Sequence, residues 1–156
     1  MPGKAQINVR PAALPDAEAL VDLNAAMAAE TENRWLDSQR LREGTRAVFE
    51  FPDRGFYLVA EVGGKIVGTL LVTFEWSDWR NGTFWWIQSV YVRPEWRRKG
   101  VYTCMHRWVD SVARSRSDVC GIRLYVHRDN AGAQGTYSSL GMVRSHYHMF
   151  DTDFDA

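Results

Sequence analysis

TFWWIQSVYVRPEWRRKGVYTC, residues 83 to 104, passes from strand through a basic turn into a helix. Aromatic and β-branched side chains fill 83 to 92, and Pro94 ends the run because it has no N–H to give a ladder. From Val101 the apolar positions 101, 104, 105, 108, 109 and 112 fall on one helical face, with Arg107, Asp110 and Arg114 opposite. Between the two lie Arg97, Arg98, Lys99 and Gly100. A turn entering a helix presents unpaired N–H groups at the positive end of the dipole, and a glycine lets a ligand approach them. Cations there oppose the dipole at a cost of about 0.3 to 1 kcal/mol each, which argues for an anion. Two readings stand: a cradle for a pyrophosphate-bearing ligand, or a solvated basic face. Neither GxxxxGK[ST] nor GxGxxG is present.

Working outward, GFYLVAEV (55 to 62), Gly63-Gly64 and KIVGTLLVTFEW (65 to 76) read as a hairpin, since glycine accepts the positive φ of a two-residue turn. DWRNG (78 to 82) turns the chain into 83 to 92, so the centre is an antiparallel meander. GIRLYV (121 to 126) follows the 101 helix as a parallel, right-handed partner. Towards the N-terminus, QINVR (6 to 10) is a short strand. Pro15 and Asp16 open a helix to about Ala29 on Leu20, Leu23 and Met27, and a second helix runs from Ser38 to Phe49. Asn130 caps a short helix, 131 to 139, closed by Leu140-Gly141; MVRSHYHMF (142 to 150) is a last strand and DTDFDA an acidic tail. The order β-α-α-β-β-β-α-β-α-β predicts an α+β (mixed α/β) domain, mostly antiparallel with one parallel step, flanked by four helices.

The 156 residues suit one domain, 1–156, and 46% hydrophobic with 24% charged residues is a folded composition. Lys plus Arg and Asp plus Glu are both 19, so no global field gathers a polyanion, which argues against nucleic acid as partner. No leader-like start and no window of membrane-span length is found, and a cytoplasmic location is expected. Cys104 and Cys120 have neither disulfide nor zinc spacing, and Cys104 reads as core. His146 and His148 would share one face of a strand but lack a third ligand, so no metal is expected.

VYVRPEWRRKGVYT resembles the acyl-CoA-binding motif of the GNAT superfamily of N-acetyltransferases, a strand followed by (Arg/Gln)-x-x-Gly-x-(Gly/Ala) and a helix. Arg97 and Gly100 match, while Tyr102 stands where the family prefers Gly or Ala. NAGAQGTYSSLGM (130 to 142) resembles the second signature, N-x-x-A-x-x-x-Y-x-x-L-G-(F/M), at Asn130, Ala133, Tyr137, Leu140, Gly141 and Met142. The central region resembles spermidine/spermine-type members most. The resemblance implies a splayed sheet with coenzyme A between the two parallel strands. It also implies direct acetyl transfer from acetyl-CoA to a primary amine, polyamine-like or amino-acid-like, in a ternary complex. Carried over, the backbone of Val90, Tyr91 and Val92 would pair with pantetheine. The amides of Arg98, Lys99, Gly100, Val101, Tyr102 and Thr103 would hold the pyrophosphate, helped by the charges of Arg97 and Arg98. Asn130 and the matched Ala133 would serve the pantetheine region, and Tyr137 would be the general acid at the sulfur.

An alkylamine of pKa about 10.4 costs about 4 to 5 kcal/mol to deprotonate at pH 7, so acetyl transfer needs a proton acceptor as well as oxyanion donors. The N–H of Val90 is the oxyanion candidate. Where many family members carry a carboxylate this strand has Gln88 and Ser89, leaving a water chain or the carboxylates Glu75, Glu30 and Glu32 as candidate bases. WSDWRNGTFWW (76 to 86) could select a cationic acceptor through Trp76 and Asp78, with Gln88, Glu30 and Glu32 completing the acceptor site. It could equally pack on the core or on a second subunit, so a homodimer is a further expectation. Two alternatives remain: an acyl-CoA-binding or sensing module without turnover, and a protein lysine or N-terminal acetyltransferase.

Overall fold

The computed structural model describes residues 4–32 and 36–155. Strand β1 (Asn8–Pro11) leads through a 3-10 turn at Leu14–Asp16 into α1 (Ala17–Glu32) and α2 (Ser38–Glu50). The meander β2 (Phe56–Val62), β3 (Lys65–Ser77) and β4 (Gly82–Val92) comes next, then a 3-10 turn at Pro94–Trp96, α3 (Val101–Arg114), β5 (Val119–Arg123) and α4 (Ala131–Ser139). The sheet order is β1-β2-β3-β4-β5, antiparallel except for the parallel β4–β5 pair. This is the expected α+β architecture with four helices and one parallel step.

Each element has its local cause. Gly63 and Gly64 take φ of 57° and 78° in the β2–β3 turn. Helix α2 is capped by Asp37, whose carboxylate accepts from the Arg40 N–H at 2.7 Å. One face of the sheet, with Leu58, Leu70, Val72, Trp85 and Ile87, packs on Val101, Met105 and Val109 of α3. The other presents Tyr57 and Val59 to Leu20 of α1 and to Val48 and Phe49 of α2. Asn24, which interrupts the α1 stripe, is buried and donates to the Tyr57 hydroxyl at 3.4 Å. Near the sheet edge Arg10 pairs with Asp16 and Glu61.

Two irregularities in β4 shape the corner at its C-terminal end. The register with β3 shifts, Thr69 facing Tyr91 and Leu71 facing Gln88, so that Ser89 and Val90 together oppose Leu70. Ser89 has φ 52°, and the bulge inverts the alternation: Trp85 and Ile87 face α3 before it, Val90 and Val92 after it. The parallel pairing with β5 covers Thr83 to Trp86, and β4 from Ile87 onward has no paired strand on that side among the described residues.

The chain divides into two compact units, Met1–Leu124 and Tyr125–Ala156. In the second, the Asn130 side chain accepts from the Ala133 N–H at 3.1 Å. The far end of α4 closes with Gly141 at φ 91°, its N–H bonding Ser138 C=O and that of Met142 bonding Tyr137 C=O, both at 3.1 Å. The expected strand at 142 to 150 is not formed. Its β-favouring side chains have no ladder to join among the described residues, and Val143, Tyr147 and Phe150 are 81% or more exposed. His146 and His148 therefore share no strand face, and both are exposed. Strand β5 is also displaced from its expected span, running from Val119 to Arg123 rather than 121 to 126.

Candidate functional site

The open flank of β4 and the mouth of α3 meet at one corner. Arg93 donates its N–H to Val67 C=O at 2.9 Å. Antiparallel ladders alternate, so the N–H and C=O of Val92 point away from β3, on the side where β4 has passed the end of its pairing with β5. Arg97 Nε donates to that carbonyl at 3.0 Å. The loop then coils through left-handed backbone at Arg98 (φ 60°) and Gly100 (φ 82°). A Cβ on Gly100 would touch nothing within 4 Å, so the glycine answers to φ rather than to space. Arg98 holds the same region against a cost of about 1 to 3 kcal/mol. Gly100 is the N-cap of α3 and supplies no side-chain cap, which leaves the amides of Val101, Tyr102 and Thr103 without intrahelical acceptors. Alternating backbone hands and open amides at a helix N-terminus make a concave anion nest.

The three cations of the corner divide. Arg97 binds Glu30 of α1 at 2.5 Å and lies 5.5 Å from the Tyr91 ring centroid. Lys99 sits 5.0 Å from the Trp96 ring centroid, and Arg98 is exposed. Glu30 also accepts from the Tyr91 hydroxyl at 3.1 Å. The Arg97 guanidinium, and to a lesser degree that hydroxyl, holds the Glu30 carboxyl below the ordinary glutamate range. Burial, then Glu30, pushes the Tyr91 phenol up.

Other expected site residues find different partners. Glu75 accepts from Arg123 Nη1 at 2.7 Å and Trp86 Nε1 at 3.3 Å, and Arg123 lies 3.6 Å over the Phe84 ring. Gln88 donates to Thr73 Oγ1 at 2.5 Å. Asp78 caps the β3–β4 turn, accepting from the Trp79 N–H at 2.9 Å. The tryptophans of that hairpin separate: Trp85 is core, Trp86 is half-buried, and Trp76 and Trp79 are 62% and 90% exposed. The side chain of Glu32 lies outside the described residues.

Tyr102, the departure from the motif, turns along α3. Its hydroxyl bonds Nδ1 of His106 at 3.0 Å, and the rings meet edge-on with centroids 5.6 Å apart. His106 is 4% exposed, and burial lowers its pKa so that the imidazole is neutral. The sequence carried a signal for this pair in the i, i+4 spacing of Tyr and His on one helix. In the second unit, Tyr137 is half-buried on α4 and burial raises its phenol pKa. Among the described residues no cluster of His, Cys, Asp or Glu could hold a metal, and no helix is long and apolar enough to cross a membrane.

Residues 21–142 match the model of the Acetyltransferase (GNAT) family. The structure of a possible acetyltransferase from Clostridium difficile 630 is 38% identical, with a TM-score of 0.88, 94% of this chain and 97% of that one being covered. A predicted acetyltransferase from Clostridium acetobutylicum, solved with acetyl-CoA, shares the fold at 18% identity and TM-score 0.76, covering 94% of this chain and 96% of that one. An aminoglycoside N-acetyltransferase in complex with CoA shares it at 12% identity and TM-score 0.80, with 99% of each chain covered. No curated protein matches the chain.

Proposed function

This chain belongs to the GNAT acetyltransferase family, and from that membership we propose that it moves the acetyl group of acetyl-CoA directly to a primary amine, polyamine-like or amino-acid-like, in a ternary complex. The observation that carries the reading is the corner itself: open amides at Val101 and Thr103 in the first turn of α3, reached through left-handed Arg98 and Gly100, beside the part of β4 beyond its pairing with β5. The amides receive the pyrophosphate, and the outward backbone of Val92, with that of Val90, receives the pantetheine arm as an added strand, while Tyr91, paired with Thr69, holds that segment on β3. Structures of the same fold solved with acetyl-CoA and with CoA support acetyl-CoA as the co-substrate.

The amine nitrogen attacks the thioester carbonyl, the C–S bond breaks, and the sulfur takes a proton while the amine loses one. Tyr137 suits the acid role because burial keeps its hydroxyl protonated. The bulge amide at Val90 is the oxyanion donor in this reading. Glu30 and Glu75 are each held by an arginine, so a water chain takes the amine proton. The family match crosses the boundary between the two units, which supports one catalytic domain over 1–156. We read the protein as cytoplasmic. The exposed Trp76, Trp79, Phe150 and Phe154 support a homodimer, for which light scattering should give twice 17.9 kDa and not a single chain.

The arginine-held carboxylates also favour a second reading, an acyl-CoA sensor without turnover. Acetyl-CoA incubated with a panel of primary amines, lysine peptides included, separates the two by free-thiol release. Release that depends on an amine is expected; coenzyme A binding with no release on any acceptor would overturn the enzyme.

A further inference from the structure

We propose that His106 is a positioning residue, a latch that keeps the Tyr102 ring off the amides at the mouth of α3 so that a bulky side chain is tolerated where the acyl donor's pyrophosphate sits. The proposal rests on the acyl-donor reading. Tyr102 is the second residue of α3, between the amides of Val101 and Thr103 at the helix mouth. A phenol so placed can swing across the helix mouth or lie back along its flank. Here the hydroxyl reaches forward one turn to His106 Nδ1 at 3.0 Å, and the ring packs against the core cluster that holds Val101 and Met105. His106 is 4% exposed and therefore fixed, while Tyr102 at the helix end is only half-buried. A fixed, neutral imidazole thus supplies the hydrogen bond that selects the flank position, and Gly100 adds no side chain to the mouth.

The latch makes an ordering that a packing role does not. Tyr102→Phe keeps the ring and cuts the bond, so it should bind coenzyme A roughly five-fold more weakly, the weight of one net hydrogen bond. Tyr102→Ala removes the ring with the bond and should bind more tightly than Tyr102→Phe. Likewise His106→Leu should weaken binding roughly five-fold in the wild-type background and less than about two-fold when combined with Tyr102→Ala. Acetyl-pantetheine, which lacks the pyrophosphate, should show the same KM with each variant. Calorimetric titration of the full chain with coenzyme A reads the affinities, and the two Tyr102 variants decide the matter even where His106→Leu does not fold. Weaker binding by Tyr102→Ala than by Tyr102→Phe, or equal losses from His106→Leu in both backgrounds, would overturn the latch alone. A wild type that binds no coenzyme A removes the acyl-donor reading and the latch together.

Discussion

At the scale of single residues, the roles divide by what each side chain already holds. Glu30 and Glu75 are committed to Arg97 and Arg123, so Glu30→Gln and Glu75→Gln should each lower kcat less than about ten-fold. A loss beyond about a hundred-fold, with disappearance of an acid limb in the pH–rate profile, would restore that carboxylate as the base. Because Glu30 is held below its unfolded value, its pair stabilises the fold above the ordinary glutamate range and is lost as pH falls through the depressed value. With the pair about two-fifths exposed, that contribution is under about 1 kcal/mol, and Glu30→Gln should flatten the acid side of a stability–pH curve. Tyr137→Phe should cut kcat while leaving the KM for acetyl-CoA nearly unchanged. Since burial raises that phenol, the wild-type rate should fall on the alkaline side only above the ordinary tyrosine range near about 10, and the variant should lack this limb. Gly100 as the turn into α3 and Asn130 as the cap of α4 were legible because local spacing identifies them. The partners of Glu30 and Glu75 were not, since each lies far along the chain and is fixed only by the fold.

At the scale of elements, periodicity located nearly every helix and strand, because each buries one face against another layer. Helix α4 was legible to its ends, as an Asn cap and a glycine stop are themselves sequence signals. The bulge at Ser89 was not: a serine at φ 52° carries no compositional mark, yet it decides that Val90 and Val92 face α3. The last strand failed for a related reason, since β-propensity at 142 to 150 creates no strand without a neighbour. Gly68 shows how closely α3 is seated on the sheet. A Cβ there would lie 2.8 Å from Val101 Cγ1 and 3.3 Å from Met105 Cε, at the first turn of α3. Gly68→Ala should therefore destabilise the protein by about 1 to 3 kcal/mol and, by displacing the helix mouth, raise the KM for acetyl-CoA. A thermal melt and a KM unchanged from wild type would show that the helix seat does not govern the site.

At the scale of the whole molecule, a chain of zero net charge gathers its ligand by local architecture rather than by a global field. The parallel pairing of β4 ends at Trp86, and α3 opens its first-turn amides after the C-terminal end of that strand. Family membership places acetyl transfer on this frame, while the acceptor depends on surfaces that the shared motifs do not specify. The most direct test is an amide NMR titration of the full chain with coenzyme A. The account predicts that the N–H signals of Gly100, Val101, Tyr102 and Thr103 shift together and saturate with the same affinity as Val92. Saturable binding that leaves those amides unmoved would contradict it.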